Sequence, residues 1–135
     1  MFRVSRELSF CYGHRLLNYE GKCRFLHGHN ARVLVTLEAD QLDRRGMVVD
    51  FTHIKETLQR WLDQELDHKM ILHRSDPVVP LLQAVGEPIV LLDVNPTAEN
   101  IARYIYDQAH RMGLPVTEVI LWETDTSFAT YRPRG

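Results

Sequence analysis

The chain has 135 residues, with 16 basic against 18 acidic side chains for a formal charge of −2; 44% of its residues are hydrophobic and 25% charged. That length supports one domain with its own core, and the balance excludes intrinsic disorder and a strongly basic nucleic-acid surface. There is no apolar run near the roughly 20 residues that span a bilayer, no charged-then-apolar leader, and only two cysteines, so a cytoplasmic protein without membrane or nucleic-acid partners is expected.

Phe2, Val4, Leu8 and Phe10 share one parity, which predicts a half-buried strand over residues 2–10. The alternation returns from Asn30, with Ala31, Val33, Val35 and Leu37 facing one way. The two runs predict an antiparallel pair joined by a long polar loop that carries histidines. Asp43-Arg44-Arg45-Gly46 reads as a turn, and residues 47–51 as a short extended segment. Ile54, Leu58, Trp61, Leu62 and Leu66 then fall at helical spacing. Residues 72–85 are mixed, and Pro77 and Pro80 break any long helix there. A turn at Gly86-Glu87-Pro88 precedes the apolar run Ile89-Val90-Leu91-Leu92.

Asn95-Pro96-Thr97-Ala98-Glu99 starts a second helix, with a capping side chain, an early proline and an acidic first turn. Its stripe is Ile101, Ile105, Ala109 and Met112, and Gly113 with Pro115 ends it. Residues 116–122 and 126–131 read as closing strands. The order strand, strand, helix, helix, strand, strand predicts an α+β domain with an antiparallel sheet over 1–135.

Three of the seven histidines cluster early. In extended chain, His27 and His29 point to the same side, with Gly28 between them leaving room for an ion or substrate. His14 follows the first strand, so strand pairing can bring it to them. Three imidazoles from adjacent strands fit a catalytic zinc site with a fourth position open. Cys23, flanked by Lys22 and Arg24, is either a fourth ligand that closes the site or a thiol activated beside the metal. Cys11 reads as an ordinary strand cysteine; His53, His73 and His110 have no partner pattern.

Phe10-x-x-x-His14-Arg15-Leu16 and Cys23-x-x-x-His27-Gly28-His29-Asn30 resemble the 6-pyruvoyltetrahydropterin synthase / 6-carboxytetrahydropterin synthase family. Val49-Asp50-Phe51, Leu66-Asp67-His68, Pro96-Thr97-Ala98-Glu99-Asn100, Glu123-Thr124-Asp125 and Tyr131 match it in order. The resemblance implies the tunnelling fold: a four-stranded antiparallel sheet with two helices on one face, assembled as an oligomeric barrel, two trimers forming a hexamer. It implies that His14, His27 and His29 hold Zn2+, that Cys23 is the general base with Asp67 and His68 as its partner dyad, and that Glu123 anchors the pterin ring. Thr97 and Glu99, with Lys22 and Arg24 toward a triphosphate, complete the implied substrate contacts.

Three residues separate Cys23 from His27, which is similar to the bacterial enzymes of queuosine biosynthesis. The expected activity is therefore a lyase converting 7,8-dihydroneopterin triphosphate to 6-carboxy-5,6,7,8-tetrahydropterin, acetaldehyde and triphosphate. A pyruvoyl-forming or aldolase-like relative is the alternative within that class, and a non-catalytic zinc-stabilised binding module the alternative outside it. Tyr12 stands where the family usually has a small residue, and the segment 73–93 is longer than in compact bacterial members; both bear on which side chain the pocket selects.

Overall fold

In the computed structural model, which describes residues 1–134, two long strands set the frame. β1 (Phe2–His14) and β2 (His27–Ala39) pair antiparallel from Phe2 opposite Ala39 to His14 opposite His27. Both run three to four residues further into the loop than hydropathy predicted. The inward positions there are His14, His27 and His29, which continue the alternation without being apolar. The histidines are therefore paired strand residues, not loop residues.

A helical run covers 51–65: α1 (Phe51–Ile54), a π-helical turn (Lys55–Gln59) and α2 (Arg60–Glu65). The Asp50 carboxylate caps its start, accepting from the Thr52 amide at 2.9 Å, so residues 47–50 lead into a helix and not a strand. Ile54, Leu58, Leu62 and Leu66 form its fully buried stripe. Each such side chain contributes about 1.5–3 kcal/mol through burial.

The expected four-stranded sheet has six strands. β3 (Lys69–His73) and β4 (Ile89–Leu92) lie parallel to each other, and β3 runs parallel to the end of β1 at Tyr12–His14. Short apolar runs of four or five residues carry too few periods to declare themselves as strands. Between them lies α3 (Val78–Ala84). Pro77 and Pro80 leave no long helix here but admit this seven-residue one, because they sit at its N-cap and in its first turn, where an amide hydrogen would have no intrahelical partner.

The last helix, α4 (Ala98–Arg111), is capped by Thr97, whose hydroxyl accepts from the Asn100 amide at 3.2 Å. β5 (Val116–Trp122) pairs antiparallel with β2, and β6 (Phe128–Tyr131) with β5, which gives the order β4-β3-β1-β2-β5-β6. The expected antiparallel four therefore survive as β1, β2, β5 and β6. Ile101, Ile105 and Ala109 of α4 join the 51–65 stripe over Leu8, Phe10, Val33, Val35 and Leu121. The opposite face of the sheet is polar, with ion pairs Arg3–Glu38 at 2.7 Å and Arg32–Glu7 at 3.2 Å. No helix of the described residues is long and apolar enough to cross a membrane.

Candidate active site

The register of β1 and β2 assembles the three histidines. His14 lies directly opposite His27, and His29 opposite Tyr12, so all three side chains leave the same face at one end of the pair. The ring centroids are 4.5 Å (His14–His27), 5.0 Å (His14–His29) and 5.0 Å (His27–His29) apart. One ligand atom from each falls within 4.8 Å of the others. The Nε2 atoms of His14 and His29 are 3.2 Å apart. Two nitrogens bound to one tetrahedral zinc lie about 3.3 Å apart, given Zn–N bonds of about 2.0–2.1 Å.

Backbone carbonyls set the tautomers. Nδ1–H of His14 donates to Pro96 O at 2.6 Å, and Nδ1–H of His27 donates to Phe25 O at 2.7 Å. Both rings then offer a bare Nε2, the usual outer-shell arrangement of metal-binding histidine. His27 Nε2 is buried with no hydrogen-bond partner. A buried polar atom without a partner is costly, and a bound cation relieves it. Burial, helped by the neighbouring imidazoles, lowers the pKa of His14 and His29 against the opposing pull of Glu123 and, for His14, the Pro96 carbonyl. Neutral imidazoles are what a metal ion requires. The three-histidine group fits a zinc-type ion; Cys23 is not part of it.

Glu123 follows β5, its amide held by Ser127 O at 3.0 Å. Its carboxylate accepts a hydrogen bond from the Tyr12 hydroxyl at 2.9 Å and lies 3.9 Å from His14 Nε2 and 4.0 Å from His29 Nε2. Burial, and then the adjacent Glu123, push the Tyr12 phenol well above its ordinary pKa, so it stays a protonated donor. Glu123 and Glu99 line a cavity of about 370 Å³ with Ala98, Ser127 and Phe128.

Asp67 and His68 end the first helical run. The amides of Leu66 and Asp67 both reach Leu62 O, at 3.0 and 2.8 Å. His68 then takes φ of 60°, a left-handed conformation unusual outside glycine. Three bonds hold it: His68 N–H donates to Cys11 O at 2.7 Å, Cys11 N–H donates to Asp67 Oδ1 at 2.8 Å, and His68 Nδ1–H donates to Asp67 Oδ2 at 2.7 Å. Burial raises the Asp67 carboxyl, but the Cys11 amide and His68 outweigh it and hold the group below the usual range. The His68 ring is 78% exposed and lines a cleft of about 460 Å³ with Cys11, Asn30, Met70 and Glu87.

Cys23 sits half-buried on a short 3₁₀ turn, Lys22–Arg24, its carbonyl accepting from the Leu16 amide at 2.9 Å. Lys22 and Arg24 are exposed; Arg24 donates to Glu20 O at 2.9 Å and packs over the Phe25 ring. Neither lines the two cavities described above. The Thr97 hydroxyl serves as the α4 cap. Gly28 has a reason other than room for a ligand: a Cβ there would stand 3.2 Å from Tyr12 O across the strand pair.

Two clamps went unread in the sequence. Arg15 Nε donates to the buried Asp76 carboxylate at 2.8 Å, with a second contact from its Nη2, which ties the residue after His14 to the start of α3. Asn95 pairs both ways with the Leu17 backbone, at 2.9 and 2.8 Å. Pro77 read as a helix breaker and Asn95-Pro96 as a helix start, and nothing local named the distant partners of Asp76 and Asn95.

Residues 3–134 match the family model for 6-pyruvoyl tetrahydropterin synthase. A Rickettsia conorii protein named 6-carboxy-5,6,7,8-tetrahydropterin synthase is 34% identical over 135 residues, covering 95% of this chain and 98% of its own. An Aquifex aeolicus protein of the same name is 39% identical over 124 residues, covering 82% and 76%. Among solved structures, Caenorhabditis elegans 6-pyruvoyl tetrahydropterin synthase superposes with a TM-score of 0.73 at 26% identity, covering 98% of this chain and 96% of that one.

Proposed function

The chain belongs to the 6-pyruvoyl tetrahydropterin synthase family, and from that premise we propose that it is a zinc-dependent 6-carboxytetrahydropterin synthase, acting as one domain over 1–135. With one molecule of water it converts 7,8-dihydroneopterin triphosphate to 6-carboxy-5,6,7,8-tetrahydropterin, acetaldehyde and triphosphate, the lyase step of queuosine biosynthesis, in the cytoplasm. The observation that carries this is the convergence of His14, His27 and His29 on one point, with His27 Nε2 buried and unpartnered. A zinc-stabilised module with a closed Cys-His-His-His site is disfavoured, since Cys23 stands outside that group.

His14, His27 and His29 would hold the zinc, which when bound would supply Lewis acidity to a substrate hydroxyl. Glu123 receives the N–C–N edge of the pterin in two parallel hydrogen bonds. Glu99 shares its cavity, and Thr97 fixes the start of α4 beside it. Cys23 removes a carbon-bound proton. His68, its Nδ1–H fixed on Asp67, moves the second proton at Nε2. Lys22 and Arg24, both exposed, meet the triphosphate.

The names of the Rickettsia and Aquifex relatives and the three-residue spacing from Cys23 to His27 favour the carboxy product; the C. elegans relative keeps the pyruvoyl reaction as the second reading. Incubation with 7,8-dihydroneopterin triphosphate, followed by mass spectrometry, decides between them. The carboxy-pterin with acetaldehyde supports the proposal, and a pyruvoyl product transfers it to the second reading. Cys23→Ala is expected to keep its zinc and melting temperature while turnover falls by about two to four orders of magnitude. Loss of zinc in that variant would make Cys23 a ligand and not a base.

A further inference from the structure

Glu123 is asked to serve a substrate while standing next to a cation site. Its two carboxylate oxygens lie 3.9 and 4.0 Å from the Nε2 atoms of His14 and His29. Donors sharing one tetrahedral zinc are about 3.3 Å apart. A small rotation therefore makes Glu123 a fourth ligand, and an anion beside a dication has every electrostatic reason to make it. With the fourth position filled, no hydroxyl could reach the metal, and the carboxylate would be withdrawn from its cavity.

Among the described residues, one side chain is hydrogen-bonded to that carboxylate: Tyr12, at 2.9 Å. Its ring has little freedom. It stacks on Phe10 at 5.3 Å, meets His14 edge-on at 5.1 Å and lies tilted against His29 at 5.6 Å, with 3% of its surface exposed. The register fixes the hydroxyl as well, since Tyr12 lies opposite His29 on the face that carries the triad.

We infer that Tyr12 is a positioning residue: its hydroxyl holds the Glu123 carboxylate off the metal and turned to the substrate cavity, which keeps the fourth coordination position open. This rests on the metal reading of the triad. A Tyr12 that merely filled the core would do as well without its hydroxyl.

Cobalt(II) loaded in place of zinc separates these cases, because its visible spectrum reports coordination and its response to azide reports an open position. Wild-type protein is expected to bind one cobalt per chain and to shift its spectrum on adding azide. In Tyr12→Phe, Glu123 closes onto the metal: the azide response disappears, and cobalt affinity rises because an anionic ligand is added to a dication. Tyr12→Phe combined with Glu123→Gln recovers the azide response. An azide response and affinity in Tyr12→Phe equal to wild type would overturn the inference.

Glu123→Gln in the wild-type background tests the same point without touching Tyr12. Metal affinity and azide response should hold, and a large loss of affinity would show that Glu123 is already a ligand. Failure of wild type to bind cobalt would instead defeat the metal reading itself.

Discussion

His27 is the side chain on which the metal reading turns. Its Nδ1 hydrogen bond to Phe25 leaves Nε2 with no tautomeric escape, so the buried atom either meets a cation or stays unsatisfied. Purified protein should carry about one zinc per chain, and His27→Ala should lose it. Elemental analysis checks this; full metal in the double variant His14→Ala, His27→Ala would refute the site. The pattern His27-x-His29 was legible because extended chain repeats its facing every second residue. The hydrogen bond of Tyr12 to Glu123 was not, because it joins residues 111 positions apart through a β1–β2–β5 register that no local pattern encodes.

The helices and the antiparallel strands could be read from alternation and from helical stripes because each buries one apolar face. The β3–α3–β4 unit could not: its elements are short, and its prolines look like breakers until their first-turn positions are known. Its anchor is the Arg15–Asp76 pair, with Asp76 also accepting from the Val78 amide at 2.8 Å. Burial raises the Asp76 carboxyl, yet Arg15 and the Val78 amide outweigh it and hold the group below its ordinary 3.8. A depressed folded value means stability that is present above the unfolded value and is lost as pH falls through the folded one. Asp76→Asn should therefore cost about 3 kcal/mol near neutrality, the lower end for a buried pair because Arg15 keeps some contact with water. The deficit should stay constant down to about pH 5 and shrink below about pH 4. Urea unfolding across that range reads it directly; a deficit independent of pH would show that the Asp76 charge does not carry it, and no deficit would show that α3 is held by other contacts.

A single chain leaves its sheet open at both ends. β6 is paired only with β5, and β3 covers β1 only at Tyr12–His14, with side chains and the His68 amide reaching Ser9 and Cys11, so residues 2–8 of β1 present one unpaired edge among the described residues. Open edges of that length invite pairing with another copy. Catalysis points the same way. His68 is mostly exposed and lines a cleft that Cys23 does not line, so the proposed base and dyad do not share a cavity in one chain. The assembly expected is a hexamer of two trimers in which Cys23 from one subunit works with Asp67 and His68 from a neighbour. Light scattering should give six chains per particle. The sharper experiment mixes two inactive variants, Cys23→Ala and His68→Ala, after dissociation and reassembly. Random mixing places an intact Cys23 against an intact His68 in about a quarter of sites, so turnover should return to about a quarter of wild type, although neither variant alone recovers any. No recovery from mixed particles that light scattering shows to be hexameric would mean that each site draws its base and its dyad from one chain, with His68 swinging to Cys23 within the subunit.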